Sequence, residues 1–132
     1  MLTLVYSYYN SIKAIETQID NWSQYPIELM KKLHFILVDD CSESKVDLKI
    51  NFPVNLILLR ITDNIPWNQP GAKNLGFKLA KTDWIFTSDI DHVLQPEMCE
   101  KLIELKKDKM TVYYFSRLTN KGENSDTHPN SF

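Results

Sequence analysis

The sequence predicts an α/β fold, in which helices pack on both faces of a mostly parallel sheet, and three observations carry this prediction. Apolar runs of strand length alternate along the chain with segments whose apolar residues recur at helical spacing. Polar residues follow directly after each of the first four predicted strands. The 132 residues are 43% hydrophobic, which is enough apolar material for the core of one domain.

The first two predicted strands cover residues 2–8 and 34–38, which are rich in strand-forming side chains. Between them, apolar residues recur at steps of three and four over residues 12–22, a spacing typical of an amphipathic helix. Asn10 or Ser11 could cap this helix. A proline then interrupts the pattern, so a separate short helical piece is expected before the second strand.

The middle of the chain predicts a third strand and a helix that lies close to the sheet. Residues 41–53 are polar and poorly periodic, so the sequence assigns them no regular element. The third strand is the apolar run at 54–61. After a loop rich in proline, Pro70 suits the first turn of a helix over 71–81, whose small residues allow a close approach to the strands.

The last predicted elements are two strands and one helix. Residues 84–86 form a near-continuous apolar run, which is typical of a strand buried on both faces. A helix is predicted over 96–107 and a fifth strand over 110–116. The chain then turns polar, so we expect a domain over 1–116 and a polar loop or disordered tail over 117–132.

Composition argues against several classes of protein. The formal net charge is −2, and Lys and Arg form no cluster that could track the phosphates of a nucleic acid. No apolar run reaches the length of a membrane-spanning helix, and Met1 is not followed by a signal-peptide pattern. Cys41 and Cys99 have no motif spacing, which is typical of reduced thiols. We therefore expect a cytoplasmic protein without a nucleic-acid partner.

The polar residues at the ends of the strands predict where a ligand binds. Parallel sheets covered by helices bind ligands outside the carboxyl ends of their strands. The four groups found there are Ser7, Tyr9 and Asn10; Asp39 and Asp40; Thr62, Asp63 and Asn64; and Ser88, Asp89 and Asp91. Together they predict the edge of a cleft.

Two of these carboxylates predict a metal site. Asp89 and Asp91 are two residues apart, so in an extended segment their side chains leave on the same side and can share Mg²⁺ or Mn²⁺. Such a cation could hold a diphosphate and neutralise charge on a departing nucleoside diphosphate. The alternative is a turn in which both side chains bond their own backbone. Asp40 is better placed for a base or a ribose, because a carboxylate accepts hydrogen bonds from their N–H and hydroxyl groups.

Four segments of the chain, in this order, resemble the nucleotide-binding half of the GT-A glycosyltransferases, in particular those of family 2. They are Val5-Tyr-Ser-Tyr-Tyr-Asn, Leu37-Val-Asp-Asp-Cys-Ser, Pro70-Gly-Ala-Lys-Asn-Leu-Gly-Phe-Lys-Leu-Ala and the DxD-type Ser88-Asp-Ile-Asp-His. The resemblance implies a Rossmann-like sheet. It also implies metal-dependent transfer of a sugar from a nucleoside-diphosphate sugar, a UDP-sugar first among them, to an acceptor hydroxyl with inversion.

The resemblance also implies roles for individual residues. Ser7 and Tyr9 would line the nucleotide pocket, and Asp40 would contact a uracil-type base. Asp89 would lie near the ribose and the metal, Mn²⁺ or Mg²⁺, and Asp91 would be its most direct ligand.

Three further residues have two interpretations each. Lys73 stands where many relatives carry Arg, so it would face the diphosphate with its charge, or it is a solvated helix lysine. His92 could bind metal or phosphate, or it is a local hydrogen-bond partner. Trp67 could stack on a base or sugar, or it covers the core.

The family continues into an acceptor-binding segment that carries a carboxylate general base, and residues 117–132 resemble the beginning of that segment. The catalytic base is therefore expected to be missing from this chain. A second hypothesis is a nucleotide-binding module without turnover, whose missing half is either supplied by a partner chain or gone. A partner chain or a second copy could cover the truncated side. A third is a response-regulator-like module with Asp63 as the phosphorylated residue, but it would need a lysine at the end of the fifth strand, and residues 110–116 do not end in one.

Overall fold

The computed structural model describes residues 1–46, 55–116 and 118. Its elements, in chain order, are β1 (Leu2–Tyr8), α1 (Ile12–Ser23), α2 (Ile27–Met30), β2 (Leu33–Asp39), β3 (Leu56–Arg60), α3 (Gln69–Leu79), β4 (Ile85–Thr87) and α4 (Pro96–Glu104). The four strands form one sheet in the order β3-β2-β1-β4, and each neighbouring pair is parallel. The predicted α/β class with a parallel sheet is confirmed.

The helices divide between the two faces of the sheet, as the sequence predicts. Side chains alternate along β1, so one face carries its even-numbered residues and the other carries Val5. The even-numbered residues join the larger core cluster with the buried residues of α1, α2 and α4. Trp22 of α1 lies at the centre of this cluster, where its ring contacts those of Tyr6 and Phe35 at centroid distances of 5.7 and 4.7 Å. Val5 faces the smaller cluster around α3.

Helix α3 lies very close to the sheet. Ala72 and Gly76 are its two buried residues, and a Cβ atom at position 76 would overlap the Val5 side chain. The close approach predicted from the small residues of this helix therefore rests on a glycine at one particular position. This contact fixes where the first turn of α3 meets the carboxyl ends of the strands.

Strand β4 differs from its prediction. It was expected to be buried on both faces, but it is the edge strand of the described sheet, and Ile85 is 38% exposed. An edge position leaves one side of the strand without a neighbour, and three residues are too few for full cover by helices. The prediction of a doubly buried strand was therefore wrong.

The predicted fifth strand is also wrong. Within the described chain, residues 110–116 join no strand ladder. The rings of Tyr113 and Phe115 pack against those of Trp84 and Phe86, with centroids 6.1 and 6.5 Å apart. The strand-forming side chains of this segment are thus used for packing beside β4 rather than for hydrogen bonding to it.

Smaller differences concern the ends of elements. The hydroxyl of Ser11 donates to the carbonyl of Tyr9, and the Asn10 amide bonds the next loop, so the predicted side-chain cap of α1 is wrong. Helix α4 ends at Glu104, three residues before its predicted end. Most of the unassigned stretch 41–53 and nearly all of the predicted tail 117–132 lie outside the described residues. Within the described chain, no helix is long and apolar enough to cross a membrane.

Candidate functional site

A cleft of about 230 Å³ opens at the carboxyl ends of β1, β2 and β4, beside the first turn of α3. Its lining residues are Ser7, Tyr8, Tyr9, Ser11, Asp40, Gln69, Asp89 and Ile90. Four of the residues that sequence analysis selected therefore lie around one cavity, although they are separated by up to 82 positions in the chain. Parallel strands explain this, because their carboxyl ends meet at one edge of the sheet.

Asp89 connects the end of β4 to α3. Its Oδ1 atom accepts hydrogen bonds from Lys73 Nζ and Gln69 Nε2, both at 3.0 Å. Burial by itself raises the pKa of the Asp89 carboxyl, but the hydrogen bond and charge of Lys73, with smaller effects of His92 and Gln69, bring this pKa below its ordinary value. Asp89 is therefore an ionised carboxylate paired with a lysine at the edge of the cleft.

Asp91 and His92 stand next to Asp89 in a tight turn. The backbone N–H of His92 donates to the carbonyl of Asp89 at 3.0 Å, so the segment is a turn rather than the extended chain that was expected. The alternative interpretation expected the side chains to bond their own backbone, but Asp89 bonds α3 instead.

Three possible metal ligands meet in this turn. One ligand atom each from Asp89, Asp91 and His92 lie within 4.8 Å of one another. His92 Nε2 is 3.8 Å from Asp91 Oδ1, and its Nδ1 is 2.8 Å from Ser88 Oγ. The Asp91 side chain is 73% exposed, so it is accessible to an ion from solvent. Two carboxylates and an imidazole are a donor set that suits Mn²⁺ and is compatible with Mg²⁺.

The neighbouring carboxylates at the end of β2 have different environments. Asp39 is buried, accepts from Ser42 N at 2.8 Å, and pairs with Arg60 Nη1 at 2.6 Å. Asp40 lines the cleft and accepts from Asn68 Nδ2 at 2.7 Å. Asp39 therefore belongs to the structure of the sheet edge, and only Asp40 is presented to a ligand.

The end of β1 supplies hydroxyl groups to the cleft. The Ser7 side chain is buried, and its Oγ atom has no hydrogen-bond partner among the described residues. Burial and the nearby Asp39 raise the pKa of Tyr8 to about 12, so its phenol stays protonated. Tyr9 is partly exposed at the rim. A buried hydroxyl without a partner beside a cavity is suited to a ligand.

The loops after β1 and β2 are joined to each other. The backbone N–H of Asn10 donates to Ser42 Oγ at 2.9 Å, and Asn10 Oδ1 accepts from the backbone N–H of Glu43 at 2.8 Å. Asn10 adopts a positive φ of 49°, a conformation that asparagine tolerates better than most residues. These bonds fix the loop that precedes α1 against the loop that carries Asp40.

Two sequence candidates lie away from this arrangement. Trp67 is 97% exposed, so it does not cover the core. Asp63 is also exposed and is not among the residues that line the cleft.

Sequence analysis missed the residues that hold the two cleft carboxylates. Asn68 bonds Asp40 and Gln69 bonds Asp89, from the segment that begins α3. A Cβ atom at Gly71 would collide with the Asn68 amide, so the glycine leaves the space that this side chain occupies. Polar residues just before a predicted helix at the sheet edge were the available signal.

Comparisons with known proteins place the chain in a family. The family model described as glycosyl transferase family 2 matches residues 3–132. An uncharacterized glycosyltransferase of Haemophilus influenzae is 25% identical over 105 residues, which cover 80% of this chain and 34% of that protein.

Solved structures share the fold. The crystal structure of S. aureus TarS residues 1–349 superposes with a TM-score of 0.67 at 20% identity, covering 78% of this chain and 31% of that 1–349 chain. Mannosyltransferase PcManGT of Pyrobaculum calidifontis, solved with GDP-Man and Mn²⁺, gives a TM-score of 0.55 at 23% identity, covering 68% of this chain and 27% of that one.

The chain spans about a third of the length of these relatives. The parallel four-stranded sheet with its helices matches the GT-A fold of the solved structures. Because the family model matches nearly every residue, this protein belongs to glycosyl transferase family 2.

Proposed function

We propose that this chain forms the donor-binding part of a metal-dependent glycosyltransferase that transfers a sugar from a nucleoside-diphosphate sugar to an acceptor hydroxyl. The observation that carries the proposal is that the ligand atoms of Asp89, Asp91 and His92 lie together, and that Asp89 lines the same cleft as Ser7 and Asp40. Membership of the family supports glycosyl transfer as the reaction class. TarS was solved with UDP and with UDP-GlcNAc, and the mannosyltransferase with GDP-Man and Mn²⁺, which supports a nucleotide-sugar donor and a divalent cation.

In this proposal the base and the ribose lie on the side of the cleft formed by β1 and β2. Asp40 accepts an N–H of a uracil-type base, because it is presented to the cleft and its other contact is the Asn68 amide. The Ser7 hydroxyl gains the partner that it lacks among the described residues. Tyr9 covers the nucleotide at the rim. The donor we propose is a UDP-sugar.

The diphosphate lies on the side formed by β4. Asp91, with Asp89 and His92, would hold Mn²⁺ or Mg²⁺. When bound, such a cation would neutralise the charge that develops on the departing diphosphate. Lys73 adds a fixed positive charge at the same edge, where its ion pair with Asp89 keeps it 3.0 Å from the carboxylate. The chain thus offers both charge and oxygen ligands to the phosphate end of a donor.

The reaction we propose is a direct displacement at the anomeric carbon with inversion. The acceptor oxygen forms its bond to that carbon while the bond to the diphosphate oxygen breaks, and a carboxylate base takes the hydroxyl proton. Asp40 and Asp89 are already held by Asn68 and Lys73, so we assign the base to neither. We assign this role, and acceptor binding, to a part of the enzyme outside the described residues.

Calorimetric titration of UDP into the full chain, with and without Mn²⁺, tests the donor site. We expect binding that requires Mn²⁺ and that weakens by more than about 100-fold in Asp91→Ala, since loss of an outer-shell partner alone often costs 10–100-fold in metal affinity. Asp83→Ala is the matched control, because Asp83 is similarly exposed but precedes β4 at the opposite end of the strand.

The proposed metal site would be contradicted by equal UDP affinities of wild type and Asp91→Ala, or by a UDP affinity that is the same with and without Mn²⁺. Hydrolysis of a UDP-sugar by the wild-type chain in the presence of Mn²⁺ would support an enzyme. Metal-dependent binding without any hydrolysis or transfer would instead favour a nucleotide-binding module that needs a partner chain.

A further inference from the structure

A buried side chain of α1 holds the turn that carries Asp91 by hydrogen bonds to its backbone. Gln18 is completely buried, and its Nε2 atom donates to the carbonyl of Ile90 at 2.9 Å and to the carbonyl of His92 at 2.6 Å. These two carbonyls belong to the residues on either side of Asp91. One buried amide therefore holds the backbone before and after the proposed metal ligand.

This contact matters because it restrains Asp91 through the backbone and not through its side chain. The Asp91 side chain is 73% exposed, and its Oδ1 atom lies 3.8 Å from His92 Nε2. The carbonyl of Ile90 shares its planar peptide group with the N–H of Asp91, so a bond to this carbonyl orients the peptide that leads into the residue. The position of the Asp91 carboxylate is thus set by its backbone, which Gln18 holds together with the hydrogen bond from the His92 N–H to the Asp89 carbonyl.

The chemistry of the amide makes Gln18 hard to replace. The NH₂ group of a glutamine carries two N–H donors, so it can donate to two carbonyl oxygens at once without placing a charge in the core. Gln18 Oε1 has no hydrogen-bond partner among the described residues, so the side chain is buried with half of its polar group unsatisfied. It also lies on the apolar face of α1, three residues after Ile15 and four before Trp22. An apolar residue would avoid this cost to stability, which indicates that the bonds to the turn serve another purpose.

We propose that Gln18 is a positioning residue for the metal site: it holds the turn over residues 89–92 in the conformation in which Asp89, Asp91 and His92 present their ligand atoms together. This role rests on the proposed function, because it presupposes that these atoms bind a divalent cation. Gln18 itself does not touch the metal or the donor. It acts through the carbonyls of Ile90 and His92.

The test is the Mn²⁺ affinity of the full chain in the presence of UDP, followed by the electron paramagnetic resonance signal of free Mn²⁺. Gln18→Met keeps the length and flexibility of the side chain but removes the donor. We expect its Mn²⁺ affinity to fall by about 10–100-fold. Thr3→Val is the control, because it also removes a buried hydrogen bond, the 2.7 Å contact of Thr3 with Thr82, but at the amino end of β1. Its Mn²⁺ affinity should stay within about twofold of wild type.

The outcomes separate this role from general stability and from the proposed function. If Gln18→Met has a lower melting temperature but the folded variant binds Mn²⁺ with the affinity of wild type, Gln18 is only structural and the inference fails. If wild type itself does not bind Mn²⁺, the metal site fails, and the role of Gln18 fails with it. Should Gln18→Met not fold, the smaller Gln18→Ala replaces it. Wild type gives a second measurement, because Mg²⁺ with UDP should shift the Gln18 side-chain amide resonances, and unchanged resonances would overturn the inference.

Discussion

At the scale of single residues, the two consecutive carboxylates at the end of β2 show how one position decides a role. Asp39 points into the sheet edge, where it meets Arg60 and the backbone of Ser42. Asp40 points to the cleft and bonds Asn68. Successive side chains of a strand leave on opposite sides, so adjacent residues with the same chemistry reach different surroundings. Neighbouring carboxylates should therefore respond differently to the same substitution.

We predict that Asp39→Asn lowers stability and that Asp40→Asn weakens nucleotide binding. In Asp39→Asn the new NH₂ group faces a guanidinium, so the free energy of unfolding should fall by about 2 kcal/mol, the size of one hydrogen bond to a charged group. In Asp40→Asn the amide oxygen can still accept from Asn68, so stability should change by less than about 0.5 kcal/mol.

The expected loss of UDP affinity in Asp40→Asn is about tenfold, which corresponds to one hydrogen bond of about 1.4 kcal/mol. Urea unfolding and calorimetry on the same two variants measure both effects, and each variant is the control of the other. Equal losses of stability, or unchanged UDP affinity in Asp40→Asn, would contradict the division of roles.

At the scale of elements, the contact between α3 and β1 depends on the absence of a side chain at Gly76. We predict that Gly76→Ala destabilises the protein by about 1–3 kcal/mol through overpacking against Val5, although alanine favours a helix by up to about 1 kcal/mol. Thermal and urea unfolding measure this loss. The double variant with Val5→Ala provides the control, because the smaller residue vacates the space that the new methyl group needs.

The double variant should lose less stability than the sum of its two single variants, since the substitutions touch each other. Additive losses, or a Gly76→Ala variant more stable than wild type, would show that α3 is not pressed against β1. The same variants report on the site, because the first turn of α3 carries Gln69 and precedes Lys73, which hold Asp89.

Most elements could be predicted because their patterns are local. Helix α1 shows its apolar stripe, and β1 and β2 are rich in strand-forming residues, so all three elements are visible in their own sequence. The segment 110–116 has the same strand-forming composition but joins no ladder in the described chain, because it lies beside β4 through the rings of Tyr113 and Phe115 and its backbone does not pair with the strand. The cleft could be predicted from the polar strand ends, but its supporting residues, Gln18 and Asn68, could not. Gln18 bonds residues that lie 72 and 74 positions away in the chain, and Asn68 bonds a residue 28 positions away.

At the scale of the whole molecule, donor and metal should stabilise the fold together. The cleft draws its lining from β1, β2, α3 and the turn after β4, so a ligand there binds the folded chain and not the unfolded one. Any such ligand shifts the unfolding equilibrium by mass action.

We predict that UDP at about 100 times its dissociation constant, added to the Mn²⁺-saturated chain, raises the free energy of unfolding by a further ~2.7 kcal/mol and the melting temperature by roughly 8 °C. Differential scanning calorimetry of the full chain measures the shift. A chelator should reverse it, and Asp91→Ala should show little of it. A shift that UDP produces equally in the presence of the chelator would contradict a shared site.

The hydrogen bonds that join Asn10 to Ser42 and Glu43 have a thermodynamic consequence for ligand binding. They order the side of the cleft formed by β1 and β2, where we propose that the nucleoside binds, before any ligand arrives, so little conformational entropy remains to be lost there. The side formed by β4, where we propose that the diphosphate binds, contains an exposed Asp91, whose rotamers are restricted only when it gains a partner. A nucleoside without phosphates should therefore bind with a small entropic penalty, and most of the ordering cost of a full donor should fall on its diphosphate.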